Sequence, residues 1–184
     1  MKVVFYKTLL TRAKDLTPTE RIIYSFLVSK SITLIDCMFD TDGDCLNIDD
    51  LYDCVDETNW IDLYSISIRK LATVLNITQP TVINGVRKLK ELKYIDGNMI
   101  YVNKELLING YFELHRCDIL TGQVLIFYSY IKYKAQMFCG CIDTFKSQLA
   151  KIFDIKIYSV KQYLTKLYQL HLIERLDNGK LRIV

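Results

Sequence analysis

Apolar and polar positions follow strand spacing in some segments of this chain and helical spacing in others. Val3 to Tyr6 is a short apolar run typical of a strand, and Thr17 to Leu27 has the spacing of a helix with one buried face. Thr17-Pro18-Thr19-Glu20 is a helix-start signal, because threonine can cap the first turn, proline suits its first position and Glu20 follows Thr17 by three residues. These patterns predict a strand followed by a long helix.

The next patterned region predicts a pair of helices and a hairpin. The turn between the two helices ends at Thr78, which can cap the second helix, and Pro80 lies in the first turn, where it removes no intrahelical hydrogen bond. Alternation around Asp96-Gly97 is a hairpin signal. The predicted elements are an acidic amphipathic helix over residues 48–64, helices over 67–75 and 78–92, a hairpin over 94–102 and a short connector over 103–109.

The same order of elements is predicted a second time. Ile22-Ile23-Tyr24-Ser25-Phe26-Leu27 reappears 104 residues later as Ile126-Phe127-Tyr128-Ser129-Tyr130-Ile131, and Leu71-Ala72 reappears 78 residues later as Leu149-Ala150. The difference between these offsets means that the first copy contains 26 residues that the second lacks. The second copy is predicted to have a strand over 111–114, helices over 121–136, 144–153 and 157–170, and a hairpin over 172–184.

These segments resemble known DNA-binding modules. Ile68 to Val82, continuing to Leu89 and Leu92, resembles the winged helix-turn-helix of MarR-like regulators and the helix-turn-helix domains of phage and plasmid replication initiators. The segment from Tyr111, with its Leu120-Thr121-Gly122 helix start, resembles the initiators in particular. The resemblance implies a mainly α fold with small β-hairpin wings (α+β), as two winged-helix domains in tandem over residues 1–108 and 109–184, the first with an acidic insertion at about 31–65. It also implies a bacterial or mobile-element protein that binds double-stranded DNA, as a transcription regulator or a replication initiator.

Candidate DNA contacts follow from the spacing in the last helix of each copy. Val82, Val86 and Leu89 in the first copy, like Val160, Leu164 and Leu167 in the second, are predicted to face the core. The polar positions between them are then exposed, and the N-terminal part of such a helix can reach base edges in the major groove. The candidates are Thr78, Gln79, Thr81, Asn84, Arg87 and Lys88 in the first copy, Lys156, Tyr158, Ser159, Lys161, Gln162, Thr165 and Lys166 in the second, and Lys180 and Arg182 on the second wing.

Charge is distributed unevenly along the chain. The net charge is only +3, but residues 31–68 contain ten acidic and no basic residues, which leaves eleven of the 21 acidic residues against all 24 Lys and Arg in the rest. A basic body of this kind favours a polyanionic partner. The acidic insertion is expected to lie away from DNA, because carboxylates repel phosphates, or alternatively to fold back over the basic face as an inhibitor. The alternative hypothesis is a winged-helix scaffold that uses the insertion to bind a protein.

Other functional classes lack their sequence signals. A calcium-binding EF-hand starting at Asp40 needs glycine and glutamate where Cys45 and Leu51 occur. The six cysteines form no Cys-x-x-Cys pair and the two histidines are isolated, so free thiols, no metal and no cofactor are expected. We also find no catalytic motif and no apolar run that could span a bilayer. The sequence therefore predicts a non-enzymatic cytoplasmic protein with no membrane partner.

Overall fold

The first copy of the repeated pattern forms a strand, a long helix, a pair of short helices and a three-stranded sheet. The computed structural model describes residues 3–39, 59–115, 119–138, 140–142 and 145–184, and the side chains in these ranges except those of 33–39 and 104. Within them the protein is α+β, with small antiparallel sheets. The elements of the first copy are β1 (Val3–Tyr6), a 3₁₀ turn (Lys7–Leu10), α1 (Pro18–Phe39), β2 (Trp60–Asp62), α2 (Ile68–Leu75), α3 (Gln79–Glu91), β3 (Ile95–Asp96) and β4 (Met99–Tyr101).

The second copy repeats this order. It follows a one-turn helix that begins after Asn103, whose side chain accepts a hydrogen bond from the Glu105 amide at 2.9 Å. The remaining elements are α4 (Lys104–Ile108), β5 (Tyr111–Leu114), α5 (Gly122–Met137), β6 (Cys141–Ile142), α6 (Lys146–Phe153), α7 (Ile157–Gln169), β7 (Ile173–Arg175) and β8 (Leu181–Ile183). The strand orders β2-β4-β3 and β6-β8-β7 are equivalent, so each copy ends in a hairpin whose second strand also pairs with a strand preceding the helix pair.

The predicted acidic helix over 48–64 is wrong at its C-terminal end. Trp60, Ile61 and Asp62 form strand β2, in which Ile61 is buried and lies opposite Ile100 of β4. Alternating exposure along these three residues suits the edge of a sheet, and pairing with β4 outweighs the weak helical spacing. Residues 48–58 of that prediction, and the rejected calcium loop at 40–51, lie outside the described residues. At the other end, α1 continues to Phe39, into the acidic segment.

The ends of the helices confirm several predicted signals. The Thr17 hydroxyl accepts a hydrogen bond from the Glu20 amide at 3.3 Å, and the Glu20 carboxylate accepts one from the Thr17 amide at 2.7 Å, which is the reciprocal pattern of a capping box. Thr78 caps α3 by accepting from the Thr81 amide at 3.4 Å. By contrast, Thr121 and Lys156, which precede α5 and α7, make no capping side-chain hydrogen bond. The first copy therefore has the better capped helices.

Strands β1 and β5 join the two copies, a pairing that the sequence did not predict. They run antiparallel in the register Val3↔Leu114 to Tyr6↔Tyr111, and the rings of Phe5 and Phe112 lie 5.5 Å apart in a continuous apolar core. Because β1 and β5 occupy equivalent places, their antiparallel pairing relates the copies by an approximate twofold axis.

A buried serine in each copy ties the strand to its long helix. The Ser25 hydroxyl accepts a hydrogen bond from the Tyr6 amide at 3.0 Å and donates one to the Val4 carbonyl at 3.0 Å. Its counterpart Ser129 accepts from the His115 amide at 2.9 Å. Both serines are completely buried. These bonds satisfy backbone groups that would otherwise be costly to bury, and they fix β1 on α1 and β5 on α5.

Candidate nucleic-acid interface

Helix α3 exposes most of the polar residues predicted for the first copy. Val82 and Leu89 are fully buried and Val86 is half-buried, as their spacing predicts. The opposite face of the helix is in solvent, and its candidate side chains are two amides, two hydroxyls and two cations. Of these, Thr78, Gln79, Thr81, Asn84 and Arg87 are exposed, and Lys88 is half-buried.

A glycine lets α3 approach α1 closely. A Cβ atom placed on Gly85 would lie 2.5 Å from the Cδ1 atom of Ile23, which is well inside van der Waals contact. Ile23 is completely buried. The crossing of α1 and α3 therefore depends on the absence of a side chain at residue 85, and this contact fixes the position of the exposed face of α3.

Helix α7 is the counterpart of α3 and exposes a similar set of polar and cationic residues. Val160, Leu164 and Leu167 are buried as predicted. Tyr163, which takes the place of Gly85, packs edge to face on the buried ring of Phe127 with ring centroids 5.4 Å apart. Of the candidates, Lys156, Tyr158, Lys161, Gln162, Thr165 and Lys166 are exposed, and Ser159 is half-buried.

The two helices carry an amide side chain at the same place. Asn84 and Gln162 occupy equivalent positions, one residue before Gly85 and Tyr163, and both are exposed. Asparagine and glutamine can form a bidentate hydrogen-bond pair with adenine. The preceding position differs, because Ile83 is 44% exposed in α3 whereas its counterpart in α7 is the cation Lys161. Both helices therefore present an amide at this position, beside an apolar residue in α3 and a cation in α7.

A cationic cleft lies beside α7. Its volume is about 610 Å³, and it separates the helix from the start of α6 and from the β7–β8 hairpin. Lys146, Lys161 and Arg175 line it, together with Tyr168. Burial raises the pKa of the Tyr168 phenol, while the nearby charge of Arg175 opposes the shift, so the phenol keeps its proton at neutral pH. Three cations and a hydroxyl donor along one cleft suit a phosphate backbone.

The corresponding cleft of the first copy has a different chemistry. It has a volume of about 430 Å³ and lies between α2, α3 and the sheet that contains β2. Its lining, which is all within the described part of the chain, includes Asp62 and Asn98 but no Lys or Arg. The hairpin beside it carries Asp96 and Gly97 at its tip. Of the two clefts, therefore, only the one in the second copy is lined by cations.

Three of the predicted cations have other neighbours within the protein. Lys88 forms an ion pair with Glu91 at 3.3 Å, and Arg182 forms one with Glu174, the residue opposite it in the β7–β8 register. Lys180 lines another cavity, between the end of α5 and α6, rather than the cleft beside α7. These three side chains are less available to a ligand than Lys161 and Lys166.

The turns before α3 and α7 both lie beside the other copy. Asn76 and Asp154 end α2 and α6 in the left-handed conformation, with φ of 54° and 50°. Asp154 forms an ion pair with Lys14, which precedes α1. The Asn76 turn lies next to the start of α5, across a cavity that both line. An ion pair between the copies therefore supports the turn before α7, whereas the turn before α3 faces the other copy across the cavity.

The comparisons identify no relative. No protein-family model, curated protein or solved structure matches the chain. No helix in the described ranges is long and apolar enough to cross a membrane. The functional assignment therefore rests on the arrangement of α3, α7 and the clefts beside them.

Two contributors to the interface lie outside the predicted set. Lys146 and Arg175 line the cationic cleft although neither belongs to α7. Arg175 could have been found from the sequence, because it lies on the second hairpin, which was already expected to carry positive charge. Lys146 gives no such signal, since its place in the cleft depends on how α6 packs against α7. Most of the acidic insertion, residues 40–58, lies outside the described residues.

Proposed function

We propose that this protein binds double-stranded DNA through two winged-helix modules on one chain, without catalysis. The observation that carries the proposal is the pair of equivalent helices α3 and α7, each with buried Val and Leu positions on one side and an exposed amide, Asn84 or Gln162, on the other. A helix presented in this way has the diameter and the donor and acceptor groups to enter the major groove.

The order of elements supports the winged-helix assignment. In each copy a long helix precedes a strand, two helices joined by a tight turn, and a hairpin, and the strand orders β2-β4-β3 and β6-β8-β7 agree. In a winged helix the second helix of the close pair is the reading helix, and the hairpin is the wing beside it. On this assignment α3 and α7 are the reading helices, and the cationic cleft lies between α7 and its wing.

The different linings of the two clefts suggest different roles for the two modules. Lys161, Lys166 and Arg175 belong to the second module, where they would hold phosphates and supply affinity that depends on salt. The cleft of the first module lacks cations among its lining residues. We propose that the second module anchors the protein and that the first contributes sequence preference through Gln79, Asn84 and Arg87.

The approximate twofold axis also predicts the orientation of the two halves of the DNA site. Modules related by a twofold axis present their reading helices in opposite directions along a duplex, as the subunits of a symmetric dimer do. We therefore propose a site with two unlike half-sites in inverted orientation. Such a protein could act as a transcription regulator or a replication initiator, because both need a fixed position on duplex DNA.

Selection of bound fragments from random double-stranded DNA at physiological salt tests the proposal. We expect enriched fragments to contain two short motifs in inverted orientation, about one helical turn apart. Direct repeats would contradict the twofold arrangement. If no duplex is enriched while the protein stays folded, DNA binding is excluded, and the protein-interaction scaffold becomes the better hypothesis.

A further inference from the structure

A cavity of about 330 Å³ lies between the two copies of the module. One wall is the turn that joins α2 to α3, including Asn76 and Thr78, together with Thr81 of the first turn of α3. The opposite wall is the start of α5, including Thr121 and Leu125. The cavity therefore touches the beginning of one reading helix and the other module at the same time.

Among the residues that the structure describes, no charged side chain lines this cavity. Its apolar part is formed by aliphatic residues such as Ile22, Val74 and Leu125, and its polar groups are threonine hydroxyls and the Asn76 amide. A volume near 300 Å³ is at the small end of the range for ligand sites, which are mostly apolar with a few polar groups that fix orientation. A charged ligand would lose its hydration without gaining a partner of opposite charge.

We propose that this cavity binds a small, uncharged, mostly apolar molecule with one hydrogen-bonding group, and that its occupation weakens DNA binding. The first part rests on the cavity alone, and the second rests on the proposed DNA-binding function. Thr121 is a suitable partner for the polar group of the ligand, because it lines the cavity and makes no capping hydrogen bond to α5.

The residues that line the cavity explain why a ligand would compete with DNA. Thr78 caps α3, and its hydroxyl lies 2.8 Å from that of Thr81, so these two groups form one hydrogen-bonded unit at the start of the helix. Both are exposed and belong to the candidate DNA contacts. A ligand bonded to either hydroxyl removes it from DNA and alters the cap. Because the two binding equilibria are coupled, bound DNA must lower the affinity for the ligand by the same factor by which the ligand lowers the affinity for DNA.

Benzamide is a suitable probe, with benzoate and benzylamine as charged molecules of similar shape. We expect benzamide to shift the methyl resonances of Ile22, Leu120 and Leu125 in the labelled full-length protein, with a dissociation constant of about 1 mM. The two charged molecules should bind at least about tenfold more weakly, because the cavity offers no counter-charge. Equal binding by benzoate would overturn the proposed ligand class.

Variants that fill the cavity from opposite walls give a second test. Val74→Phe and Leu125→Phe should each abolish the methyl shifts that benzamide causes. Two variants are used so that the test still holds if one of them fails to fold. The matched control is Ile152→Phe, which adds the same ring at the position equivalent to Val74 in the second module and should leave the shifts unchanged. Shifts that persist in both filled variants would overturn the site.

The coupling to DNA is measured separately, by fluorescence anisotropy on a selected duplex. Saturating benzamide should raise the dissociation constant for DNA about fivefold or more in the parent protein and leave it unchanged in Val74→Phe. Benzamide that binds without changing DNA affinity would overturn the coupling. A protein that never binds duplex DNA would overturn the proposed function instead, and the methyl shifts, recorded without DNA, would still decide the cavity.

Discussion

Gly85 and Ile23 meet where α3 crosses α1, so closely that a Cβ on residue 85 would lie 2.5 Å from Ile23 Cδ1. In an unobstructed helix, changing glycine to alanine stabilises a protein by up to about 1 kcal/mol. Here we expect Gly85→Ala to destabilise by about 1–3 kcal/mol, because the buried Ile23 side chain must move. Equilibrium unfolding in urea measures the change.

Removal of the clashing atom is the matched control for this prediction. Ile23→Val lacks Cδ1, so the double variant with Gly85→Ala should be more stable than the sum of the two single effects predicts, by about 1 kcal/mol. Additive effects would show that the two residues are not in conflict. The same cycle tests whether this contact positions α3, because DNA affinity should recover together with stability.

Much of the fold could be predicted from local signals, and the failures have a common physical origin. The helix starts at Pro18 and Gln79 depend on Thr17 and Thr78, which act on neighbouring residues and are therefore visible in sequence. The pairing of β1 with β5 joins residues more than a hundred positions apart, and no local pattern encodes it. Strand β2 was missed for the same reason, because its partner β4 follows two intervening helices.

In the candidate interface, too, local features could be predicted from the sequence and contacts between distant residues could not. Exposure of Asn84 and Gln162 follows from helical spacing, and the structure confirms it. The ion pair between Lys88 and Glu91 is also local, because the two residues lie three positions apart on α3. The ion pair between Arg182 and Glu174 depends on the register of the β7–β8 hairpin, and the cationic cleft depends on the packing of α6 against α7. Spacing therefore finds exposed residues and neighbours on one helix, whereas neighbours on other elements require the fold.

His115 makes stability depend on pH. Burial lowers the pKa of its imidazole below the ordinary value of 6.5, and nearby Lys132 acts in the same direction, while Glu113 opposes the shift. The unfolded chain therefore binds a proton more readily than the folded protein, so stability is lost as the pH falls from about 6.5 towards the folded-state pKa. Urea unfolding between pH 7.5 and 5 should show this loss, and His115→Gln should reduce it. An unchanged slope in the variant would assign the pH dependence to other groups.

Lys156 precedes α7 without capping it, which suggests a conflict between stability and DNA binding. Lys156→Ser introduces a side chain that can accept a hydrogen bond from the first turn of α7, and we expect a gain of about 0.5–1 kcal/mol in the free energy of unfolding. The same change removes an exposed cation from the reading helix, so DNA affinity should fall. Greater stability with unchanged affinity would show that Lys156 does not contact DNA.

Lys161 and Lys166 are predicted to contact phosphates. Replacing both with alanine should weaken binding to all duplexes alike and should reduce the slope of log affinity against log salt by about one to two units. Lys30→Ala combined with Lys132→Ala removes the same charge from α1 and α5 and serves as the control. If both double variants reduce the slope equally, the effect reflects overall charge rather than contact through α7.

Asn84 and Gln162 should determine sequence preference, one in each half-site. Asn84→Ala is expected to cost about 1–3 kcal/mol on the preferred duplex and to relax preference at a single base pair of one half-site, while the other half-site keeps its preference. Gln162→Ala should do the same for the opposite half-site, because the two residues are equivalent under the approximate twofold axis.

Neither variant removes a charge, so the salt dependence of DNA binding should stay unchanged, which separates base reading from phosphate binding. Repeated selection with each variant identifies the relaxed positions. Relaxation of the same half-site by both variants would place α3 and α7 on one motif and refute the two-site arrangement.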